Sequence, residues 1–267
     1  MTEIDTPTPA PALASALWQT IRSEAQREAL LRPMLQRYFD LSVLQHHTLG
    51  AALASLLAAD LCRIDGALPD FAQEFGTVIK RNSSDDSAAA DILKISSSNP
   101  ACPNALTAFL CFRGIHAIQF HRIAHAYWVA GETSFAVLLQ NWCAKSYNVD
   151  IHPAARIGKG LFVDHAMGIV IGETAVVEDE VSIWHGVTLG STFAEAGDRH
   201  PKVRRGATLA AHAVILGNIE IGEGAVIAAG SVVRHSIAPG MVAAGVPAKV
   251  IKAVSGTYAA ITAPSKN

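Results

Sequence analysis

An apolar residue recurs at every sixth position through most of the second half of the chain, over residues 150–233. A first run comprises Ile151, Ile157, Val163, Ile169, Ala175, Val181 and Val187. A second run comprises Val203, Leu209, Ile215, Ile221, Ile227 and Val233. A period of six differs from the 3.6 of an α-helix and the 2 of a strand. It is typical of a parallel β-helix, in which short strands coil around an apolar interior.

The repeat changes phase between Val187 and Val203. By this count ten extra residues, 193–202, leave the coil as an excursion loop, which contains the polar sequence GDRHPK. The first run also differs from the second at the fifth position of the repeat, where it has the polar residues Glu173, Asp179 and His185. These residues predict either corners that turn outward or a site that uses them.

The first half of the chain has helical spacing of apolar residues. This spacing predicts helices over 15–62, 71–80 and 88–95, a long amphipathic helix over 106–128 and a last helix over 134–145. We expect a disordered lead-in at 1–12, a helical domain at 13–148, a β-helix domain at 149–253 and a flexible tail at 254–267. The predicted fold class is α+β.

Composition excludes several partners. The net charge of −2 gives no sign of nucleic-acid or anionic-membrane binding, and no apolar run reaches the ~18 residues of a membrane span. The N-terminus lacks the basic and apolar regions of a signal peptide. The four cysteines are dispersed, which favours free thiols in a reducing compartment and predicts a cytoplasmic protein.

Asp164 and His165 form the first candidate for chemistry. Histidine is the side chain best suited to act as a general base near neutral pH, and Asp150 is a candidate to orient it. A coil of about 18 residues would place Asp150 under Gly168, just past His165. A solvent-facing polar pair on a strand is the alternative.

The excursion loop is the second candidate. Arg199 suits a carboxylate, which it can bind through two parallel hydrogen bonds, although a solvated charged loop is the alternative. Lys202, with Lys249 near the end of the repeat, belongs to a possible phosphate-binding set. His121 and His125 have a metal-ligand spacing without the glutamate of an HExxH motif. We therefore interpret them as a polar helix face or subunit contact and predict no metal site.

Motifs along most of the chain resemble the serine O-acetyltransferases of cysteine biosynthesis. In the first half these are WxxIxxEA (18–25), PML (33–35), LGxAL (49–53) and GxHAxQxxRxAH (114–125). In the repeat half they are DIHPAAxIG (150–158), DHAxGIV (164–170), GETAV (172–176), VTLG (187–190), GDRHPK (197–202), LGNIEIG (216–222) and AAGVPAK (243–249). DHA and GDRHPK together are specific, whereas a bare hexapeptide repeat also occurs in sugar and drug acetyltransferases.

The resemblance implies a left-handed β-helix that transfers the acetyl group of acetyl-CoA to L-serine, with no tightly bound cofactor. It implies these roles: His165 as general base, Asp150 orienting it, Asp164 and Arg199 holding serine, and His200 and Glu173 supporting that site. It places acetyl-CoA between neighbouring subunits, near Gly190, Ser191, Lys202, Ala210 and Lys249. It also implies a trimer, with the helical domain serving oligomerisation by joining two trimers into a hexamer.

Three positions depart from the family pattern. Pro103 stands where bacterial members usually have an aspartate that helps to hold the serine amino group. Ser191 replaces a glycine of the VTLGGT motif, close to the cofactor. The chain ends at Asn267 rather than isoleucine, so a complex with O-acetylserine sulfhydrylase is not expected.

Three other functions stay open at this point. One is an acetyltransferase for another small hydroxyl acceptor, such as homoserine or a sugar, which the Pro103 departure favours. Another is a metal-dependent hydratase on the same scaffold that uses His165, His185 and His200 from adjacent subunits. The last is a non-catalytic scaffold.

Overall fold

The computed structural model describes residues 12–62, 71–192 and 196–255 of the 267. The predicted lead-in lies outside the described residues up to residue 11, and the predicted tail does so from residue 256 onward. The described residues form a helical half that is followed directly by a three-sheet parallel β-helix. The predicted α+β class is therefore confirmed.

Eight α-helices occupy the described part of the first half. They are α1 (Leu13–Leu31), α2 (Gln36–Phe39), α3 (Leu49–Cys62), α4 (Phe71–Arg81), α5 (Ser84–Ser98), α6 (Ala105–Cys111), α7 (Arg113–Val129) and α8 (Thr133–Tyr147). Large buried aromatic rings hold them together: Trp18 packs edge-on against Phe109 at 5.8 Å between ring centroids, and Phe75 does so against Phe120 at 5.7 Å. Such pairs stabilise a core beyond the area that they bury.

Among the helices described, none is both long and apolar enough to cross a bilayer by itself. One bent pair, Pro33–Leu44 with Leu49–Leu61, meets the test of length and composition when its members are taken together, across a bend of 115°.

The long helix predicted over 106–128 is in fact two helices, so that prediction was wrong. The chain is extended at Phe112 (φ −90°, ψ 98°), which ends α6 and precedes α7. The break brings Gly114 onto the first coil of the β-helix, where an added Cβ would lie 2.3 Å from the carbonyl oxygen of Val163. Helical propensity cannot reveal this break because its cause is a contact with a distant strand.

Fifteen short strands form the second half of the described chain. Sheet A contains β1 (Val149–Ile151), β4 (Ile169–Ile171), β7 (Thr188–Gly190), β10 (Val214–Leu216) and β13 (Val232–Val233). Sheet B contains β2 (Arg156–Ile157), β5 (Val176–Val177), β8 (Lys202–Val203) and β11 (Glu220–Ile221). Sheet C contains β3 (Phe162–Val163), β6 (Ser182–Ile183), β9 (Thr208–Leu209), β12 (Val226–Ile227), β14 (Met241–Gly245) and β15 (Ala248–Ala253).

From β1 to β13, successive strands visit sheets A, B and C in turn, so three edges connect the sheets. We name two of them. The AB edge comprises the turns at 152–155, 172–175, 217–219 and 234–236, together with residues 191–192 and 196–201. The CA edge comprises the turns at 164–168, 184–187, 210–213 and 228–231.

The coils have three lengths, which the pairing between strands of one sheet defines. The regular coil length is the distance along the chain from Val203 to its partner Ile221 in the next coil. The first coil, from Ile151 to its partner Ile171, is longer by two positions. The coil from Val177 to its partner Val203 is longer by eight. The first insertion lies in the turn at 164–168, and the second lies between β7 and β8.

The sequence count placed all ten extra residues at 193–202, and the register corrects it. Ile169 and Ile171 are each 2% exposed, so two positions that lie two residues apart in one repeat both point inward. A shift of the count by two residues therefore moves it from one apolar position to the other without breaking the pattern. The same shift explains why polar residues are tolerated at Glu173, Asp179 and His185, since with the corrected register they occupy turns outside the core.

A buried polar network fastens the helical half to the first coil. Asp91, on α5, is 2% exposed and accepts hydrogen bonds from Gln119 (2.8 Å) and Arg122 (2.6 Å) on α7. Its other oxygen accepts the backbone N–H of Leu161 at 2.9 Å, and Arg122 donates to the Gly158 carbonyl at 2.6 Å. These bonds support the strand that leads to Asp164 and His165, since Leu161 directly precedes β3.

Candidate active site

His165 lies on the CA edge, in the turn with two extra residues. His165 and Ala166 have φ values of 58° and 64°, a left-handed conformation that is uncommon outside glycine. The imidazole is 60% exposed, and its Nε2 lies 3.5 Å from Asp164 Oδ2. Asp164 Oδ1 accepts the backbone N–H of His165 at 3.0 Å. The extra residues thus present an accessible imidazole beside a carboxylate, as general-base catalysis requires.

Asp150 lies at the middle of β1, with its side chain on the exposed face of sheet A. It pairs with Val170 rather than Gly168, because the first coil is two residues longer than the sequence count assumed. It accepts a hydrogen bond from Gln140 on α8 at 2.6 Å. In the described part of the chain it makes no hydrogen bond or ion pair with His165, so its orienting role stays a prediction.

Residues 196–202 of the excursion loop pack onto the AB edge. Arg199 donates to Glu173 Oε2 at 2.5 Å, and Thr174 Oγ1 accepts the backbone N–H groups of Arg199 and His200, each at 3.0 Å. One threonine hydroxyl therefore orients both predicted substrate residues of the loop.

Gly172 provides the space for the His200 ring. A Cβ at this position would lie 2.0 Å from His200 Nε2. The backbone N–H of Thr174 donates to His200 Nδ1 at 3.2 Å, so a neutral His200 carries its proton on Nε2. His152 follows the paired residues Ile151 and Ile171 and therefore lies beside Gly172 in the stack.

Charge and burial set the ionisation of the loop site. The hydrogen bond from Arg199 holds the pKa of Glu173 below its ordinary value. Burial lowers the pKa of His200, and the charge of Arg199 adds to this effect. Burial also lowers the pKa of His152. Near neutral pH the site accordingly contains an ionised carboxylate, a guanidinium and neutral imidazoles.

Lys202 ties down the base of the loop. Its ammonium donates to the carbonyl oxygens of Thr174 (2.9 Å) and His200 (2.7 Å), and to Asp198 at 2.5 Å. These three acceptors match the three donors of an ammonium group. The structure therefore accounts for Lys202 as an anchor, and its predicted role toward acetyl-CoA stays a prediction.

An apolar groove of about 390 Å³ borders the CA edge on the outer face of sheet C. Its lining residues are Trp184, Thr208, Ala210, Ala211, Val226, Ala228, Ala229 and Val242. Trp184 is followed by His185, whose ring centroid lies 5.6 Å from that of His165. The groove thus runs along the same edge as the candidate base.

The other predicted cofactor residues lie elsewhere. Gly190 and Ser191 stand at the AB edge, where the Gly190 carbonyl accepts the backbone N–H of Gly217 at 2.9 Å. Lys249 is exposed on β15, opposite Ala244 of β14. Within one chain, only Ala210 of the predicted cofactor set lines the groove.

The sequence and the fold were compared with known proteins. Residues 17–120 match the family model described as "Serine acetyltransferase, N-terminal", and residues 200–235 match "Bacterial transferase hexapeptide (six repeats)". A serine acetyltransferase from Salmonella typhimurium is 45% identical over 88% of this chain and 86% of its own. The chain belongs to the serine acetyltransferase family. Family membership makes it an acyltransferase and confirms the resemblance seen in its motifs.

Two solved structures of this family were determined with ligands. The Brucella abortus serine acetyltransferase in complex with coenzyme A is 41% identical, covers 90% of this chain and 96% of its own, and has a TM-score of 0.85. The soybean serine acetyltransferase complexed with serine is 40% identical, covers 91% of this chain and 100% of its own, and has a TM-score of 0.86.

The predicted site residues of this family member lie on two edges of its β-helix. Asp164 and His165 are on the CA edge, and Glu173, Arg199 and His200 are on the AB edge, with the strand β4 between them. Sequence reasoning missed Thr174, which orients the loop residues. A signal for it existed, since it lies within the GETAV motif next to Glu173.

The structure also revises the interpretation of the histidines on α7. His121 is 3% exposed and interacts with the backbone of Ala155 in the first coil, so its assignment to a polar helix face or subunit contact was wrong. Burial lowers its pKa to about 3. Over the described ranges, no group of three or more His, Cys, Asp or Glu side chains is arranged to hold a metal ion.

Proposed function

We propose that this chain transfers the acetyl group of acetyl-CoA to the hydroxyl of L-serine, giving O-acetyl-L-serine and CoA. The observation that carries the proposal is the CA edge, where an apolar groove approaches the exposed imidazole of His165. The groove suits the pantetheine arm of coenzyme A, since ligand sites are mostly apolar with few polar groups. Relatives of the chain bind coenzyme A and serine.

The mechanism is direct attack assisted by a general base. His165 accepts the proton of the serine hydroxyl while the serine oxygen forms a bond to the thioester carbonyl carbon. The carbon–sulfur bond then breaks, and the thiolate takes the proton back from His165. A positioned base contributes roughly 10²–10⁴ to the rate.

Serine recognition uses both edges. Asp164 supplies a carboxylate for the serine ammonium, and Arg199 supplies a guanidinium for the serine carboxylate. Glu173 holds Arg199 at 2.5 Å, and a neutral His200 offers its Nε2–H. Asp150 orients the general base from the face of β1.

The complete site is formed by two subunits. The CA and AB edges lie on opposite sides of sheet A, so His165 of one chain meets Arg199 and His200 of a neighbour. Three chains close such an arrangement as a trimer with cyclic symmetry, and acetyl-CoA lies between neighbouring β-helices. The helical halves join two trimers, and the enzyme acts in the cytoplasm. Cys102, Cys111 and Cys143 are free thiols.

A second acceptor is favoured by Pro103, which places no carboxylate where bacterial relatives usually carry one. Homoserine or a sugar hydroxyl would then replace serine. Release of CoA from acetyl-CoA should be followed with L-serine, L-homoserine and a simple sugar at equal concentrations. We expect the highest kcat/KM with L-serine. No release with serine, or faster release with another acceptor, would contradict the proposal.

A further inference from the structure

His185 lies between the candidate base and the apolar groove. Its ring stands nearly perpendicular to the ring of His165 at 5.6 Å (77°) and to that of His212 at 4.8 Å (89°). The three residues occupy successive turns of the CA edge. Trp184, which precedes His185, lines the groove. The position and tilt of the His185 ring are therefore set from both sides along the edge.

The two ring nitrogens of His185 differ. Nδ1 is buried and has no hydrogen-bond partner within the described structure. A buried lone pair without a partner costs less than a buried N–H without one, since unpaired buried donors are the rarer case. This difference favours the tautomer that carries its proton on Nε2. In that tautomer the half-buried ring presents its Nε2–H as a hydrogen-bond donor.

Acetyl transfer creates a need for such a donor. When the serine oxygen attacks, the thioester carbonyl oxygen becomes negative, and a preorganised donor near that oxygen lowers the barrier. A pantetheine arm in the groove brings its thioester past Trp184 toward His165. His185 is the residue that the chain places between those two points.

We propose that His185 is a further catalytic residue, whose Nε2–H donates a hydrogen bond to the thioester carbonyl oxygen. This inference rests on the proposed function. The proton of the serine hydroxyl goes to His165, the new carbon–oxygen bond forms, and the carbonyl oxygen holds the negative charge against His185. The carbonyl then re-forms and the negative charge passes to the sulfur as the carbon–sulfur bond breaks. The leaving thiolate takes the proton from His165. His185 exchanges no proton.

Two substitutions separate hydrogen-bond donation from packing. His185→Phe keeps a flat ring against His165 and His212 but removes the donor, and we expect kcat to fall about 10²-fold, the usual effect of losing one such donor. His185→Gln loses the ring but keeps a neutral N–H, and we expect it to recover most of that loss. KM for serine and the affinity for CoA, measured by calorimetry, stay near the wild-type values because the bond strengthens only in the transition state.

His235→Phe is the matched control, since it makes the same change at an exposed turn of the late coils, away from His165 and His185, and we expect wild-type kcat. The inference is overturned if His185→Phe keeps wild-type kcat, or if His185→Gln is as slow as His185→Phe while both bind CoA normally. An inactive wild-type protein would instead contradict the proposed function, so the two failures are distinguishable.

Discussion

The early and late coils of the β-helix share one interior and differ in everything outside it. Both sets bury apolar strand residues, as Ile171 in the early coils and Ile221 in the late coils illustrate. The early coils contain both insertions and contact α5 and α7 of the helical half. The late coils, from β8 to β13, keep the regular length that the pairing of Val203 with Ile221 defines.

This difference shows how a repeat scaffold acquires chemistry. A regular turn must satisfy the spacing of the coil, which leaves little freedom to aim a side chain. Two extra residues on the CA edge release His165 from that constraint, and eight on the AB edge supply Arg199 and His200. The apolar inward positions resume after both insertions, at Ile169 and at Val203, so the core continues along the coils.

The strongest test of this comparison replaces a histidine in each set of coils. We expect His165→Ala to lower kcat by roughly 10²–10⁴, the contribution of a positioned general base. His235→Ala, at an exposed turn of the late coils, is the matched control and should keep wild-type kcat. Steady-state release of CoA measures both, and equal activity of the two variants would remove the functional distinction between the coils.

A second test removes scaffold from the late coils. Ile221 on β11 is 0% exposed, and Ile221→Ala should lower the free energy of unfolding by about 2–5 kcal/mol through lost burial and a cavity. Urea denaturation measures the loss. The fraction that stays folded should keep the wild-type KM for serine, and a selective rise in that KM would place chemistry in the late coils. Val250→Ala, 51% exposed on β15, is the control for a truncated apolar side chain outside the core.

A smaller effect is expected where an early turn makes room for the loop. Gly172→Ala would place a Cβ 2.0 Å from His200 Nε2. The His200 side chain would move, because a side chain shifts more easily than the backbone of a coil. We expect KM for serine to rise about tenfold, equivalent to ~1.4 kcal/mol. Gly76→Ala on α4, whose new Cβ would make an ordinary contact of 3.8 Å with Ala54, should leave KM unchanged. An unchanged KM in Gly172→Ala would contradict the role of Gly172 in providing space for the His200 ring.

The smallest expected effect concerns the contact between α7 and the first coil. The pKa of His121 is lowered to about 3 by burial, whereas in the unfolded chain it is near 6.5. The unfolded state therefore binds the proton first, and stability falls as pH falls from about 6.5 toward 3. Between pH 6.5 and 5.5 this residue should account for about 1 kcal/mol of lost stability.

His121→Leu, which cannot titrate, tests this expectation. Urea denaturation at several pH values should show a flatter acid slope for the variant than for the wild type. Other buried groups, such as His116, contribute equally to both proteins and do not affect the difference. Identical slopes would show that His121 takes no part in the acid sensitivity of this contact.

Much of the site was predictable from the sequence, but its arrangement was not. DHA and GDRHPK made Asp164, His165, Arg199 and His200 the candidates, because the two motifs together on this scaffold are specific to one family. His185 was noticed as a polar residue in an apolar pattern and as a histidine of the hydratase alternative, but not as a neighbour of His165. Its place beside His165 depends on the lengthened turn of the first coil, and a six-residue count cannot measure that length when corner and strand positions are both apolar.

The sequence by itself determined the β-helix, because one apolar side chain per short strand can be buried in few other ways. It also determined the helical half, the class of enzyme and the residue types of the site. Only the tertiary structure decided where the two insertions lie and which edge carries each candidate site residue. It also decided that the helix breaks at Phe112, where Gly114 packs against a strand. These features depend on contacts between residues far apart in the chain, and local periodicity has no information about such contacts.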